Sequence, residues 1–411
     1  MADQVAELPP DEARGMDRSW GVVAAATVGL TFSLGTLLLY TFGVFVRPLS
    51  TEFGWSRTQL SGALAVSQYT FALTSPVWGL LIDRFGPRAI LLPSVVCISL
   101  LVGSLATLGS LWQYYFTFAA VSFCAGGASP IGYSAVLVRK FERHLGLALG
   151  LALMGVGIGA SVLPPLAAKL TADFGWREAY VALGLLTFVL TVPAALIATR
   201  GVGRPSPSLP GAAAIPILPL IKSRAFVLMC AIFLLLGIVS IGTLTSLVPI
   251  MIGRGFTAQQ AAQIAGLTGL TAILGRGGIG WVLDRVHPPY VVAAMAMVAL
   301  CSFLLVAYGT GTASAYLIAI LLGGVVGAEV DFTAFFVRRY FGSAVFGRLY
   351  GVAFGIFLVG SGTGPVVASA SFDRFGSYQP GALLFAAGAI VVVLLTFVMP
   401  ALDARPRVLP A

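Results

Sequence analysis

Twelve long apolar segments follow one another along the 411-residue chain, separated by short polar stretches. Each segment is long enough to cross about 30 Å of hydrocarbon as an α-helix. The chain is 58% hydrophobic and only 9% charged, which is typical of a multi-span membrane protein and excludes a soluble domain. An all-α membrane protein is therefore predicted, with spans at 20–46, 59–82, 88–109, 112–137, 145–168, 177–199, 225–251, 258–283, 290–309, 313–336, 347–371 and 379–401.

The basic residues between these spans are unevenly distributed. Seventeen lysines and arginines lie on the side that carries the two termini, and six lie on the other side. Basic loops remain in the cytoplasm, so both termini are predicted to be cytoplasmic. The net charge of +9 is spread over these loops rather than gathered in a tract. We therefore expect it to report membrane topology, and we expect no nucleic-acid partner.

The two halves of the chain repeat at a constant offset of 201 residues. GLLIDRFGPR after the second span matches GWVLDRVHPP after the eighth, and Gly54, Gln59 and Gly159 align with Gly255, Gln260 and Gly360. A single register over this length indicates duplicated six-helix bundles related by a pseudo-two-fold axis, with a substrate site between them near mid-membrane. The predicted domains are a tail at 1–18, bundles at 19–199 and 223–402, a Pro/Ser/Gly-rich linker at 200–222 and a tail at 403–411.

Several functions are excluded by missing motifs. The four cysteines lie in apolar spans without CxxC spacing, so neither a disulfide framework nor a metal site is expected. The GxGxxG pattern that begins at Gly275 lies inside a membrane helix and follows no strand, so it does not indicate a dinucleotide site. No Gly-Lys pair occurs, so ATP is not expected to drive the protein. We predict no cofactor, no enzymatic activity and no obligate protein partner.

Three charged residues lie inside predicted spans. Arg276 stands near the middle of the eighth span, and Glu329 and Asp331 lie at a similar depth in the tenth. A charge within the bilayer costs about 2.5–3.5 kcal/mol and marks a cavity or a partner. Arg276 is interpreted as binding a substrate carboxylate; a buried ion pair with a helix acid is the alternative, and the two do not exclude each other. Residues two apart on a helix point in opposite directions, so one acid should face the cavity, and the other should pair with arginines near the cytoplasmic end.

Asp331 is the slightly favoured cavity acid, because Phe335 one helical turn further on would then form an apolar wall beside it. The acid that faces the cavity is a candidate for carrying a proton during transport, and a static structural pair is the equal alternative. Tyr69, Tyr133, Phe332 and Phe357 are weaker candidates for the cavity wall, since packing explains each of them as well.

The segment after the second span resembles a signature of the major facilitator superfamily. Gly79, Asp83 and Arg84 match its conserved loop, and Gly280, Asp284 and Arg285 repeat it after the eighth span. The resemblance implies twelve helices in two six-helix bundles and transport by alternating access. It also implies that these six residues form a conformational latch, in which an aspartate at a helix end pairs with basic residues or with the N-terminus of a facing helix in one state only.

Shorter patches resemble the monocarboxylate porter branch and its oxalate/formate exchanger relatives. They are DRSWG before the first span, FERHLGLALGLA at the fifth, and RYFG with FGRLYG before the eleventh. This resemblance places Arg276 at the family's substrate-binding arginine and Tyr40 at a position where animal members carry lysine. Ala272 stands where those members carry an aspartate one turn before the arginine. The usual proton-relay pair is therefore missing, so proton coupling uses other groups or does not occur.

These observations predict a secondary transporter of a bacterial inner membrane. Its expected cargo is a small monocarboxylate anion such as L-lactate or pyruvate, moved together with a proton, with Arg276, Tyr40 and Phe335 at the binding site. The first alternative is exchange of formate or a small dicarboxylate, which a second basic residue in the cavity would favour. The second alternative is a membrane sensor on the same fold that binds its ligand without transporting it.

Overall fold

The computed structural model describes residues 10–141, 145–201, 218–283, 288–341 and 346–400. Within these ranges it describes the backbone but not the side chains of residues 10–19, 76, 79–80, 83, 138–139, 145–147, 276–283, 288, 328, 330–331, 334–335, 338 and 346–348. The described chain is helical and contains no strand. This agrees with the all-α membrane fold predicted from the apolar segments.

Sixteen α-helices are present in the described ranges. They are α1 Pro10–Thr31, α2 Phe42–Phe53, α3 Arg57–Phe85, α4 Pro87–Ser104, α5 Leu111–Ala125, α6 Pro130–Lys140, α7 Leu145–Phe174, α8 Trp176–Ala198, α9 Leu218–Ile221, α10 Arg224–Leu236, α11 Gly242–Gly253, α12 Ala258–Leu283, α13 Pro288–Tyr308, α14 Gly311–Phe341, α15 Phe346–Phe375 and α16 Gln379–Val398. Helices α1–α2, α5–α6 and α10–α11 are broken pairs, so that, with the four-residue α9 set aside, the elements correspond to the twelve predicted spans. Among described residues, nine helical stretches are long and apolar enough to cross a membrane.

Two sides of the bundle are distinguished by its connections. We call the side where α8 ends and α10 begins the linker side, and the opposite side the far side. The predicted linker at 200–222 lies largely outside the described residues, apart from its first two residues and α9. The predicted tail at 1–18 differs from the structure, because α1 already begins at Pro10. Proline at the first helical position followed by acidic residues favours this start.

The duplication is visible in the local backbone. Ser56 and Gln59 form a reciprocal capping box at the start of α3, and Thr257 and Gln260 form the same box at the start of α12. The first and seventh spans each contain a π-helical segment, at Gly35–Tyr40 and Gly237–Ile241. The far-side turns repeat as well, because Gly54 and Gly255 both adopt a positive φ, of 70° and 92°. The capping boxes and turns are related by the offset of 201 that the sequence predicts, and the two π-helical segments end at equivalent positions, Tyr40 and Ile241.

Close helix packing within each half depends on equivalent glycines. A β-carbon at Gly159 would overlap the carbonyl oxygen of Thr31, and one at Gly360 would overlap that of Leu234. These contacts hold α7 against the first span and α15 against the seventh. Small residues let membrane helices approach in this way, and dispersion between the backbones replaces the hydrophobic driving force that lipid does not supply.

Candidate substrate pathway and its far-side gate

Helices α3 and α15 join the two halves on the far side. The carboxylate of Asp373, near the end of α15, accepts hydrogen bonds from the backbone N–H groups of Arg57 at 3.3 Å and Thr58 at 2.8 Å. These N–H groups belong to the first turn of α3 and have no partner within the helix. An anion at a helix N-terminus is stabilised by the helix dipole as well as by the bonds. Asp373 therefore fastens the second half to the first.

Arg57 strengthens the same junction through its side chain. Its guanidinium carbon lies 3.5 Å from the centre of the Phe372 ring, and its Nη1 donates a 2.7 Å hydrogen bond to the hydroxyl of Tyr378. A cation over an aromatic face contributes about 0.5–2 kcal/mol, depending on its desolvation. Arg57, Phe372, Asp373 and Tyr378 together form what we call the far-side gate.

Two further polar contacts join α3 and α15 deeper in the bundle. The side-chain amide of Gln68 donates a 2.7 Å hydrogen bond to Ser361, and both side chains are buried. Tyr69 is hydrogen-bonded to Thr363 at 2.8 Å. Gly362 lies between them, where an added β-carbon would come within 2.8 Å of the Tyr69 ring. The contact between these helices therefore continues from the far-side end to about the middle of α3.

Helices α7 and α12 form the second junction between the halves, and it is almost entirely backbone. A β-carbon at Gly269 would overlap the backbone nitrogen of Ser161 and lie 2.6 Å from the carbonyl oxygen of Gly157. Gly266 comes similarly close to the carbonyl oxygen of Ser161. The one side-chain hydrogen bond across this junction in the described ranges runs from Gln259 to the carbonyl oxygen of Pro165, at 3.4 Å.

The halves separate toward the linker side. Tyr69, Leu73 and Val77 follow one another at helical spacing along one face of α3, and Leu73 and Val77 are 78% and 50% exposed although Tyr69 contacts α15. On the other helices, an added β-carbon at Gly150 of α7 or Gly355 of α15 would have no described atom within 4 Å beyond its own helical turn. The structure is therefore closed on the far side, and its halves diverge toward the linker side.

The position of the predicted substrate arginine lies one turn beyond a contact between the halves. Ile273 of α12 contacts α7 at Gly157, and position 276 follows it toward the linker side. On the other face of α12, Thr268 packs against Gly323 and Ala272 against Gly327 of α14. One turn further, the same register aligns position 331 with position 276. The side chains of Arg276 and Asp331 lie outside the described residues.

Glu329 is the predicted intramembrane acid whose side chain the structure describes. It is 1% exposed and lies beside the hydroxyl of Ser240, in the π-helical segment of the seventh span. Neither carboxyl oxygen has a hydrogen-bond partner of acceptable geometry among the described residues. Position 329 lies toward the seventh span, whereas position 331 is in register with position 276 of α12. The predicted pairing of the second acid with arginines near the cytoplasmic end is not seen for Glu329 among the described residues.

The other predicted site residues fall into two groups. Tyr40 is half-buried at the end of the first π-helical segment, and Arg84 is exposed at the end of α3. The side chains of Phe335, Gly79, Asp83 and Gly280, and the whole of Asp284 and Arg285, lie outside the described residues. Among the weaker aromatic candidates, Tyr133, Phe332 and Phe357 are buried, whereas Tyr69 belongs to the junction between the halves.

The far-side gate was not anticipated from the sequence. A usable signal was present, because the tetrapeptide DRFG occurs at Asp83–Gly86 and again at Asp373–Gly376. Both copies end a helix of the α3–α15 pair, at opposite sides of the bundle. The second copy does not follow the offset of 201, so a search confined to the duplication register misses it.

Comparisons with known proteins agree with this architecture. A family model described as the Major Facilitator Superfamily matches residues 23–354. The chain therefore belongs to the major facilitator superfamily, and it is a multi-pass membrane transporter.

The chain is similar to two solved structures that show the fold. A bacterial homologue of the human lysosomal transporter Spinster, in an inward-facing and unoccupied conformation, has a TM-score of 0.75 at 16% identity and covers 93% of this chain and 96% of that one. The nucleoside transporter NupG has a TM-score of 0.71 at 17% identity, with 93% and 99% covered.

Curated relatives include several monocarboxylate transporters. Monocarboxylate transporter 13 of Bos taurus is 26% identical over 317 residues, which are 76% of this chain and 72% of the relative. Monocarboxylate transporter 11 of Mus musculus is 29% identical over 284 residues, 68% of this chain and 62% of the relative. The multidrug resistance protein MdtG of Dickeya zeae is 22% identical and covers 90% of both chains. The resemblance to the monocarboxylate porter branch is thus confirmed, at low identity.

Proposed function

We propose that this protein carries small monocarboxylates, of the size of lactate or pyruvate, across a bacterial inner membrane by alternating access with proton symport. The proposal depends most on one observation: the halves are latched at the far side and diverge toward the linker side, and position 276 lies one turn beyond a contact between α12 and α7. The linker side is then the cytoplasm, as the basic loops predict, and the structure corresponds to the inward-facing stage of the cycle.

Arg276 is the proposed ligand of the substrate carboxylate. A guanidinium binds a carboxylate through two parallel hydrogen bonds, which give both strength and orientation. Position 276 lies one turn beyond the contact between Ile273 of α12 and Gly157 of α7, toward the linker side, and its guanidinium is proposed to reach the space between the halves. Similarity to monocarboxylate transporters supports a small anionic cargo. Tyr40 and Phe335 remain proposed neighbours of the substrate.

The two intramembrane acids are proposed to have separate roles in transport. Asp331 is in register with Arg276 and is proposed to neutralise it when no substrate is present. Glu329 has no described partner, and an isolated buried carboxylate is costly unless it is paired or protonated. We propose that Glu329, beside Ser240 on the seventh span, gains and loses the transported proton as α14 and the seventh span move.

The α3–α15 pair is proposed to carry one latch for each state. Asp373 at the end of α15 holds the N-terminus of α3 in the present state. By the same chemistry, Asp83 at the end of α3 would hold the linker-side end of α15 when the transporter faces outward. The latches exclude one another because the two helices rock about their middle, so closing one end opens the other.

Uptake of labelled L-lactate into liposomes that hold purified protein tests this function. An inward proton gradient should drive accumulation by the wild type, and Arg276→Gln should abolish it. Arg276→Lys keeps the positive charge but loses the planar guanidinium that makes two parallel hydrogen bonds. It should retain binding with a raised KM. Glu329→Gln should lose the response to the gradient while it keeps exchange of lactate between preloaded vesicles and the medium.

Three outcomes would argue against parts of the proposal. Wild-type protein that transports no lactate, pyruvate or formate under either condition would remove the monocarboxylate assignment. Uptake that is unchanged in Arg276→Gln would place the carboxylate elsewhere. A gradient response that survives in Glu329→Gln and is lost in Asp331→Asn would exchange the roles of the two acids.

A further inference from the structure

A second space between the halves lies outside the far-side gate. This cavity has a volume of about 570 Å³, and its lining includes the gate residues Arg57, Phe372 and Tyr378. Residues from both halves form its walls, including Gly43, Arg47 and Arg57 from the first half and Arg254, Tyr378 and Gln379 from the second. We call it the outer vestibule.

Three arginines line the outer vestibule, and none of the described residues that line it is acidic. Arg254 is half-buried, and its guanidinium donates to the carbonyl oxygens of Leu305 at 2.7 Å and Val306 at 2.9 Å, near the end of α13. These bonds fix its position but do not neutralise it. The carboxylate of Asp373, next to the lining residue Phe372, already accepts two backbone hydrogen bonds from α3.

Arg47 differs from the other two arginines. It follows the closely packed end of the first span, where Gly43 lies against Thr245 and Val248 of the seventh. It is exposed and makes no ion pair or hydrogen bond with the described residues. Two of the arginines are therefore held in place by the protein, and the third has a guanidinium that is free to bind a ligand.

We propose that the outer vestibule is a second carboxylate site, which holds a small monocarboxylate from the medium before the far-side gate opens. Arg47 would bind the carboxylate through two parallel hydrogen bonds from its guanidinium. Arg254 would add fixed positive charge, and Arg57 would connect the site to the far-side gate. A cleft of one charge sign with low-dielectric walls raises the local concentration of its counter-ion by about 10-fold or more. The inference takes its ligand from the proposed function.

The charge of the vestibule can be measured without transport. Gln379, which lines the vestibule, is replaced by cysteine in protein whose Cys97, Cys124, Cys230 and Cys301 are alanine. The modification rates of this thiol are then compared for two methanethiosulfonates, one anionic (sulfonatoethyl) and one cationic (trimethylammonioethyl), relative to a free thiol. Both reagents require the same thiolate, so their ratio cancels any change in its ionisation. The anionic reagent should be favoured by about 10-fold.

Arg47→Gln should reduce this preference several-fold, and Lys169→Gln should leave it unchanged, because Lys169 is an exposed cation at the far-side end of α7 that does not line the cavity. The preference should also fall as ionic strength rises, since screening shortens the range of the charges. L-lactate at constant ionic strength should slow modification in the parent but not in Arg47→Gln. Propane-1,2-diol, the uncharged analogue of lactate, should not slow it in either protein.

A charge ratio equal to that of the free thiol, or one that Arg47→Gln leaves unchanged, would overturn the proposal. Protection by lactate that persists in Arg47→Gln would also overturn it. The result is separable from the proposed function, because modification requires no flux. If lactate protects the thiol but is not transported, the vestibule site stands and the cargo assignment fails. If lactate is transported without protection, the vestibule proposal alone fails.

Discussion

Positions 177 and 378 are equivalent in the two halves but are used differently. Arg177 is the second residue of α8 and forms a 2.6 Å ion pair with Glu52 of its own half. Tyr378 stands just before α16 and accepts a hydrogen bond from Arg57 of the other half. Glu52 is aligned with Gly253, so the second half has no acid with which to repeat the internal pair. The two halves thus share turns and helix starts, whereas the equivalent positions 177 and 378 contribute to an internal clamp in the first half and to the gate between the halves.

The same contrast separates the two junctions between the halves. The α3–α15 junction is polar and directional, with a carboxylate on a helix N-terminus and an arginine on two aromatic rings. The α7–α12 junction is smooth, with glycines that bring backbones together. Polar contacts can be made and broken discretely as the halves rock, whereas a glycine surface allows them to slide. We expect the first junction to set which state is favoured, and the second to set whether the halves fit together at all.

Gly269→Ala should have the largest effect, because the new β-carbon meets backbone atoms that cannot rotate away. Overpacking of this kind typically costs about 1–3 kcal/mol. We expect a lower melting temperature in detergent and a population that is open on the far side. Gly150→Ala on α7 is the matched control, since a β-carbon there has no atom within 4 Å, and it should be neutral or slightly stabilising. Equal destabilisation by both variants would contradict a specific role for the α7–α12 surface.

Asp373→Asn should shift the balance between the states rather than stability as a whole. The amide oxygen can still accept a bond from α3, but the charge on the helix N-terminus is lost. A capping interaction contributes about 1 kcal/mol, so the far-side-closed population should fall by about fivefold relative to the open one. Spin labels at cysteines that replace Gly109 and Thr310, which occupy equivalent far-side loops, would report this change as a longer distance.

Asp173→Asn is the control for this variant, because Asp173 lies near the end of α7 and has no described contact with α12. It should leave the distance between residues 109 and 310 unchanged. If the two variants shift the distance equally, the effect arises from general surface charge and not from the bond between Asp373 and α3.

Much of this architecture follows from the sequence. The offset of 201 predicts equivalent capping boxes and turns, because each of these features depends on residues three or four apart. The apolar segments predict the spans, because a helix must be long and apolar enough to cross the hydrocarbon core of the bilayer. The repeated DRFG could have marked Asp373 as a latch residue, but its pairing with Arg57 could not be predicted, because the two are separated by more than 300 residues and meet only when both helices are placed. The placement of Glu329 could be predicted only in part. Helical spacing separates it from Asp331, but its proximity to Ser240 depends on how the seventh span packs.

Arg57→Lys would sharpen the comparison by separating charge from geometry. Lysine preserves the positive charge at the gate, but it cannot lie flat on the Phe372 ring while it donates to Tyr378. We expect the far-side-closed state to lose about 0.5–1 kcal/mol, which is a smaller shift in the 109–310 distance than Asp373→Asn produces. Arg57→Gln removes the charge as well. If Arg57→Lys changes the 109–310 distance as much as Arg57→Gln does, the planar guanidinium and not its charge holds the gate closed.

The internal pair of the first half should give the smallest effect and a different pH signature. Glu52 accepts hydrogen bonds from Arg177 and from the indole N–H of Trp176, and its bond to Arg177 lowers the pKa of its carboxyl below the ordinary 4.5. A carboxyl whose pKa is lowered on folding stabilises the fold above its unfolded pKa. This stabilisation is lost as the pH falls through the folded value.

Glu52→Gln should therefore lower the melting temperature slightly at pH 7, and the difference from the wild type should shrink once the pH falls below about 4.5. The effect should be modest, because the pair is exposed to solvent and screened by salt. The 109–310 distance should not change, since Glu52 and Arg177 both belong to the first half. A gate that opens in Glu52→Gln would show that the internal clamp and the far-side gate are coupled through α2. Positions 177 and 378 would then both influence the contact between the halves, and they would differ only in how strongly they do so.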